Sequence, residues 1–254
     1  MLVRVLTIGA RSSTAVRKAM RRNQISFARV ARSGLQRAVL LTLMLVTMQC
    51  HAQTICIDPG HPSENGVGTK GKHITELKAA WLVGEKLAAV LRKEGYTVIV
   101  TKKSEGQKLT NKARAEIGNR AHADLMLRLH CDAGTKSGFA TYYPGAQGQV
   151  GNKRGPSADV LSRSAALAPR FHRAVIAALN GHVADRGFHS EASTMIGARQ
   201  GALTGSIYSQ VPVLLVEMAV LQNAHDDLFI STAKGQDIMA VALFEGVRAV
   251  VPRR

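Results

Sequence analysis

Apolar residues recur along this chain in two periods, and the period switches from segment to segment. Residues 54–57 are a short β-branched run ending in Asp58-Pro59-Gly60-His61, which reads as a strand entering a turn. A glycine-rich loop follows, reaching Gly71. Leu77, Ala80, Trp81, Leu87 and Leu91 then return at helical spacing. Thr75 can cap this helix, Glu76 opens it, and Gly95 closes it after about Glu94. Its apolar face is expected to bury Trp81. Residues 96–101 predict a strand, and Thr110 can cap a helix over about 111–121. Residues 125–130 and 139–143 predict two more strands. Residues 144–157 are glycine-rich without a hydrophobic period and read as a flexible loop. Residues 158–179 look helical in part, with Pro169 expected to break or kink the run. Residues 211–216 are apolar and rich in valine, as in a central strand. A final helix is expected over 233–250. No internal repeat or second core shows in the pattern. Strands alternating with helices predict an α/β fold, a single three-layer domain with a mainly parallel central sheet flanked by helices. Chemistry in such sheets collects at the carboxyl ends of strands, where His61, His130 and Glu217 all fall.

Charge changes the picture at the N-terminus. The chain has 254 residues, 46% of them apolar, and a formal net charge of +17. Nine basic residues lie within 1–52, from Arg4 to Arg37, and the first acidic residue is Asp58. An uncharged apolar run follows, AVLLTLMLVTM over 38–48, and then Cys50-His51-Ala52. A basic region, a short apolar run and a small-residue exit outline a secretory signal peptide cleaved after Ala52. The run is too short to span a bilayer, which takes roughly 20 residues. Met20 offers an alternative start with a more ordinary leader. Thr47-Met48-Gln49 lacks the small residues that lipidation of Cys50 would call for. The expected mature chain, 53–254, is therefore periplasmic or secreted and not an integral membrane protein. Setting the nine basic residues aside takes the formal +17 to +8 over about 200 residues. That suits a polyanionic or cell-surface substrate and removes the argument for nucleic acid.

Two cysteines remain, Cys56 and Cys131. If their strands lie side by side with both histidines at one edge, Cys56 sits roughly 16 Å back from that edge. A disulfide needs Cα atoms within about 7 Å, so both cysteines are expected to be small buried hydrophobes.

His61 and His130, each at the tip of an apolar strand, could join a carboxylate in a three-ligand zinc site with one position left for water. Glu76 is a candidate third ligand, because the loop after His61 can fold the first turn of its helix back to the site. Glu217 follows a buried strand, where a carboxylate is costly without a partner or a task. Activating water beside a metal is such a task. Asp58 could orient a ligand histidine or simply form the turn. By strand alternation Arg128 shares a side with His130, about 6.6 Å deeper, and needs a partner. His189 and Arg199 lie in polar stretches and read as surface residues.

These residues resemble the zinc-dependent N-acetylmuramoyl-L-alanine amidases of the amidase-3 group. DPGH with Gly66 and Gly68 resembles the first ligand loop, and Glu76 matches the second ligand. Leu109, Arg114, Asn119 and Ala123-Asp124 resemble the segment before the third ligand. LRLHCDA matches the strand that carries it, at His130, and GFATYY resembles the strand after it. VPVLLVEMAVLQN matches the segment carrying the catalytic glutamate, at Glu217. The resemblance covers about 55–250. It implies zinc held by His61, Glu76 and His130, with Glu217 as the acid–base group. It also implies peptidoglycan as substrate, cut between the lactyl group of N-acetylmuramic acid and L-alanine. Pro62-Ser63 stand where the family has glycines, Cys131-Asp132 where it has alanine-asparagine, and Met218-Ala219-Val220 near its glycine-phenylalanine pair. A zinc peptidase or deacetylase acting on wall peptides or glycans would use the same site. A non-catalytic wall-binding protein would be expected to lack Glu217 or a ligand. Some relatives carry an inserted helix that blocks the zinc until a partner removes it. The insertion here is short and glycine-rich, which favours an open cleft and leaves room for a protein activator.

Overall fold

Four apolar strands lie parallel. β1 (Thr54–Pro59) pairs with β2 (Thr97–Val100) on one side and β3 (Leu125–Asp132) on the other. β3 pairs in turn with β8 (Val213–Val220). β4 (Phe139–Tyr143) adds antiparallel to β8, and β7 (Asp185–Ser190) adds parallel to β4. The sheet order is β2-β1-β3-β8-β4-β7. These are the strands of a computed structural model that describes residues 52–253. The expected leader falls outside that range apart from Ala52. Among the described residues no helix is long and apolar enough to cross a membrane.

Alternation along β1 and β3 sorts the core into two layers. Ile55, Ile57, Leu125, Leu127 and Leu129 join the larger cluster. That side is covered by α1 (Glu76–Lys93), α3 (Ala158–Leu179) and α7 (Ala233–Val250). Cys56 and Met126 join a smaller cluster with Val160, Val211 and Val213, near α2 (Asn111–Arg120). Gly118 of α2 is what lets that helix approach, since a Cβ there would sit 3.2 Å from Met126 Sδ. Cys56 and Cys131 are buried and unpaired with each other. Threonines cap both site-proximal helices: Thr75 accepts from Lys78 N and Thr110 from Ala113 N.

Several expectations are corrected. The 144–157 stretch holds an antiparallel hairpin, β5 (Gly148–Val150) and β6 (Lys153–Gly155). Its strands are three residues each, too short to show a period. α3 runs uninterrupted through Pro169. Burial of Ala168, Phe171, Val175 and Leu179 outweighs the one hydrogen bond a proline removes. Trp81 lies outside the core at the flank of α1, with the Lys102 ammonium 5.7 Å over its ring. The buried stripe of α1 is Ala79, Ala80, Val83, Leu87 and Leu91. β8 starts two residues later than expected and continues three residues past Glu217. Its neighbours explain the extension: Glu217 pairs with His130 of β3 and with Ala140 of β4. The segment after β7 forms two short helices, α4 (Met195–Gln200) and α5 (Thr204–Tyr208).

Candidate metal centre

β1 and β3 end side by side, which brings His61 and His130 together with ring centroids 5.0 Å apart, edge to face. α1 supplies Glu76 from its first residue. Glu76 Oε1 lies 3.1 Å from His61 Nε2 and 2.8 Å from His130 Nδ1. It also accepts from Cys131 N, and Oε2 accepts from Thr69 N at 2.8 Å. One ligand atom from each of the three side chains falls within 4.8 Å of the other two.

Their chemistry fits a cation. His61 Nδ1 donates to the Gly66 carbonyl at 3.1 Å, so Nε2 turns a lone pair toward a carboxylate oxygen. That arrangement is favourable only with a proton or metal ion between them. His130 Nε2 is buried without a hydrogen-bond partner, which is rare for buried polar atoms. Burial works to raise the Glu76 carboxyl, but its bonds to His130 and His61 hold it well below the usual range. The same carboxylate raises His61 against the cost of burial. At His130 burial prevails and the imidazole is lowered. Glycines leave room for this packing. A Cβ on Gly68 would lie 2.5 Å from Glu76 Oε2, and one on Gly60 would lie 2.6 Å from His130 Cε1. Two imidazoles and a carboxylate are a donor set suited to zinc.

Glu217 lines the same cavity, a space of about 360 Å³. Its Oε2 is buried without a partner. Burial drives its carboxyl well above the ordinary range, and the charges of Glu76 and Asp132 push the same way. Asp132 lines the cavity too and accepts from Arg186 of β7 at 2.8 Å. None of the cavity's residues comes from α3. One wall is Thr194, Met195 and Ile196, with Met195 74% exposed. His189 and Arg199 are not among the cavity residues. His189 sits on the edge strand and donates from Nε2 to Arg186 O.

The loop that presents His61 is gripped from below. His61 has φ +53°, a left-handed conformation that costs roughly 1–3 kcal/mol outside glycine. Its carbonyl accepts from Lys102 Nζ at 2.6 Å and Arg114 Nη2 at 3.2 Å. Arg114 Nη1 donates to Pro59 O and to Asp58 Oδ1, both at 2.7 Å. Asp58 touches neither histidine; it anchors the arginine that holds the loop. Burial would raise its carboxyl, but Arg114, Arg128 and Thr101 outweigh this and hold it low. Burial, then Arg114, brings the Lys102 ammonium down to about 8. Asp227 does the same service for Glu76. It lies in the first turn of α6 (Ala224–Ser231) and accepts from Lys72 N, His73 N and Ile74 N, fixing the approach to α1. Asp226-Asp227 reads in sequence only as acidic residues at a helix start, so this role left no local signal.

A family model described as N-acetylmuramoyl-L-alanine amidase matches residues 55–249. The N-acetylmuramoyl-L-alanine amidase LytC of Bacillus subtilis (strain 168) is 27% identical over 201 residues, 76% of this chain and 34% of LytC. The chain thus spans about a third of the length of the curated relative it matches. The solved N-acetylmuramoyl-L-alanine amidase from Clostridium difficile 630 is 26% identical with a TM-score of 0.62, covering 78% of this chain and 95% of that one. Ami1 from Mycobacterium smegmatis shares the fold, with a TM-score of 0.66 at 18% identity over 81% of this chain and 99% of its own. The matched segment contains both histidines and both glutamates of the cavity, and the chain belongs to the N-acetylmuramoyl-L-alanine amidase family.

Proposed function

We propose that this chain hydrolyses the amide between the lactyl group of N-acetylmuramic acid and L-alanine in peptidoglycan, as a zinc enzyme. His61, Glu76 and His130 would hold the metal, and Glu217 is the acid–base group. One observation carries the reading: an unpartnered, buried Glu217 carboxyl shares a cavity with a His-Glu-His cluster whose lone pairs converge. Zinc supplies Lewis acidity, polarising the scissile carbonyl and acidifying the attacking water. Glu217 accepts the proton from that water at its free oxygen and passes it to the leaving amine of L-alanine. The neutral amine leaves, and Glu217 returns to its carboxylate. Residues 1–52 would direct the chain across the membrane, placing it in the periplasm or outside the cell, where its substrate lies.

Mass spectrometry of peptidoglycan incubated with the zinc-loaded protein tests this. Peptide-free glycan together with stem peptides beginning at L-alanine is the expected pair of products. Shortened stem peptides or deacetylated sugars would instead assign a peptidase or deacetylase to the same site.

Gly68→Ala offers a second check on the metal role. Gly68 has φ +85° and its added Cβ would strike Glu76 and His61. Displacing the ligands by a few tenths of an ångström is expected to weaken zinc binding about 10–100-fold, the range for disturbed supporting contacts. Competition against a coloured chelator reads this directly, and an unchanged affinity would remove Glu76 or His61 from the ligand set.

A further inference from the structure

Beside the metal centre, the cavity is lined by five residues that the proposed reaction does not use: Asn111, Arg128, Leu203, Thr204 and Leu215. Arg128 precedes His130 by two residues on β3, so both side chains leave the same face of the sheet. Asn111 opens α2, where its main-chain N–H donates to the Glu64 carboxylate at 2.9 Å. Arg128 orients the Asn111 side chain. Its Nη2 donates to Asn111 Oδ1, while its Nε donates to Asp58 Oδ2 at 3.1 Å. A guanidinium only donates, so the amide oxygen must face it and the Nδ2 group must face away. Asn111 is 6% exposed and lines the cavity. Its Nδ2 has no acceptor among the described residues, and neighbouring atoms do not seal it off.

Thr204 adds a second donor. Its Oγ1 accepts from Gln200 Nε2 at 3.1 Å, and its hydroxyl hydrogen has no acceptor among the described residues. Leu203 and Leu215 supply apolar wall. The far side is closed by main chain. A Cβ on Gly205 would lie 2.7 Å from Arg128 Cζ and Nη1, so the backbone of α5 packs directly on the guanidinium. The buried Glu191 ties that segment down, accepting from Leu203 N at 2.8 Å and from Ser206 Oγ at 2.5 Å. The result is a blind recess with two neutral donors and two leucines. Such a lining selects a small neutral group with an acceptor oxygen beside an apolar end. An acetyl group has both.

We propose that this recess binds the acetyl group of the substrate's N-acetylmuramic acid, with its carbonyl oxygen accepting from Asn111 Nδ2 and its methyl resting on Leu203 and Leu215. The proposal rests on the amidase reading, which puts that sugar in the cavity. On the sugar the acetamido nitrogen is bonded to C2 and the lactyl ether oxygen to C3. The acyl group and the scissile arm therefore leave adjacent carbons and enter one cavity. The acetyl group is also a branch that ends, as a blind recess requires. L-Alanine carries a methyl and a carbonyl too, but the peptide continues through that carbonyl and needs an exit. Asn111 is then a specificity-determining residue, held in its binding orientation by Arg128. The alternative is that Asn111 serves only to satisfy Arg128 at the start of α2.

Three muramoyl peptides separate the cases, identical except at C2 of the sugar, which carries an acetamido, a hydroxyl or a butanamido group. All three are neutral there. Binding is read by calorimetry on zinc-loaded Glu217→Gln protein, so that cleavage does not interfere. The acetamido form is expected to bind at least about tenfold more tightly than the hydroxyl form, from one hydrogen bond and one buried methyl. The butanamido form should lose that advantage, because a closed recess has no room for two more methylenes. Adding Asn111→Asp keeps the acceptor that Arg128 needs and removes the Nδ2 donor. It should cut the acetamido preference to about threefold or less. Equal affinity for the acetamido and hydroxyl forms in the Glu217→Gln protein would overturn the proposal, and that comparison needs no change at Asn111. So would an undiminished preference after Asn111→Asp, or butanamido binding as tight as acetamido, which would put the acyl group in solvent. Failure of the wild-type protein to cleave the acetamido peptide, with the order of affinities intact, would strike the amidase reading and leave the acetyl site standing.

Discussion

Glu217→Gln is expected to lower kcat by roughly 10²–10⁴-fold, the range for a lost general acid–base group, with KM little changed. The change is isosteric and removes only the ability to carry a proton. Glu217 Oε2 makes no bond that the amide would break. The variant should therefore fold, and its stability carries a separate signature. In the metal-free protein, burial and then the charges of Glu76 and Asp132 raise the Glu217 carboxyl well above the ordinary carboxylate range. The native state then holds a proton that the unfolded chain has released. By linkage, stability falls as pH rises through the interval from the unfolded pKa to the raised native one. Glutamine has no proton to lose. Metal-free Glu217→Gln should melt above metal-free wild type at pH 8, and the gap should narrow toward pH 4. Bound dication would work the other way, favouring the carboxylate, so zinc should shrink the difference at pH 8. A variant keeping more than a tenth of wild-type turnover would end the acid–base assignment.

The convergence of His61, Glu76 and His130 was legible in the sequence because each follows a strong local signal. His61 and His130 stand at the tips of buried apolar runs, and Glu76 follows a capping threonine. α7 could be read to its end residues for the same reason: a capped, strongly periodic stretch. What supports the site could not be read. Arg128 looked like an unexplained charge in an apolar strand. Its partners, Asp58 and Asn111, lie 70 and 17 residues away in the chain; Asp58 meets it through the parallel pairing of β1 with β3 and Asn111 from the start of α2. β7 was hidden because it is a half-exposed edge strand interrupted by Gly187, with no alternation to register. The extent of β8 past Glu217 depends on β4 pairing from the other side, which no local pattern encodes.

Removing the metal is expected to abolish activity, and Glu76→Gln should do nearly the same. Glu76 is the shared partner of both histidines, with His61 Nε2 and His130 Nδ1 on one oxygen. An amide there offers at most one neutral acceptor and places an N–H donor near groups that need a lone pair. Exhaustive chelation followed by titration with zinc should restore turnover with one ion per chain. Bound metal should also add stability that chelation takes away. An ion that binds only the folded chain contributes about 4 kcal/mol when present at 1,000 times its Kd, so a clear fall in Tm should accompany the loss of activity. The affinity should depend on pH in a defined direction. Metal ligation requires unprotonated imidazole, and Glu76 raises the His61 pKa. Zinc and a proton therefore compete for His61, and apparent affinity should drop by up to tenfold for each pH unit below that raised pKa. The electrostatics of the empty cluster reinforce the trend. The raised His61 contributes stability that is full below its unfolded pKa and is lost as pH rises through the folded one. The lowered Glu76 contributes stability above its own unfolded pKa that is lost only in strong acid. Between those limits the proton-bridged cluster is a stable alternative to the metal-bound one, and zinc must displace that proton. Activity that survived exhaustive chelation, or zinc affinity flat from pH 8 to pH 5.5, would show that His61 and Glu76 form an ion pair and not a metal site.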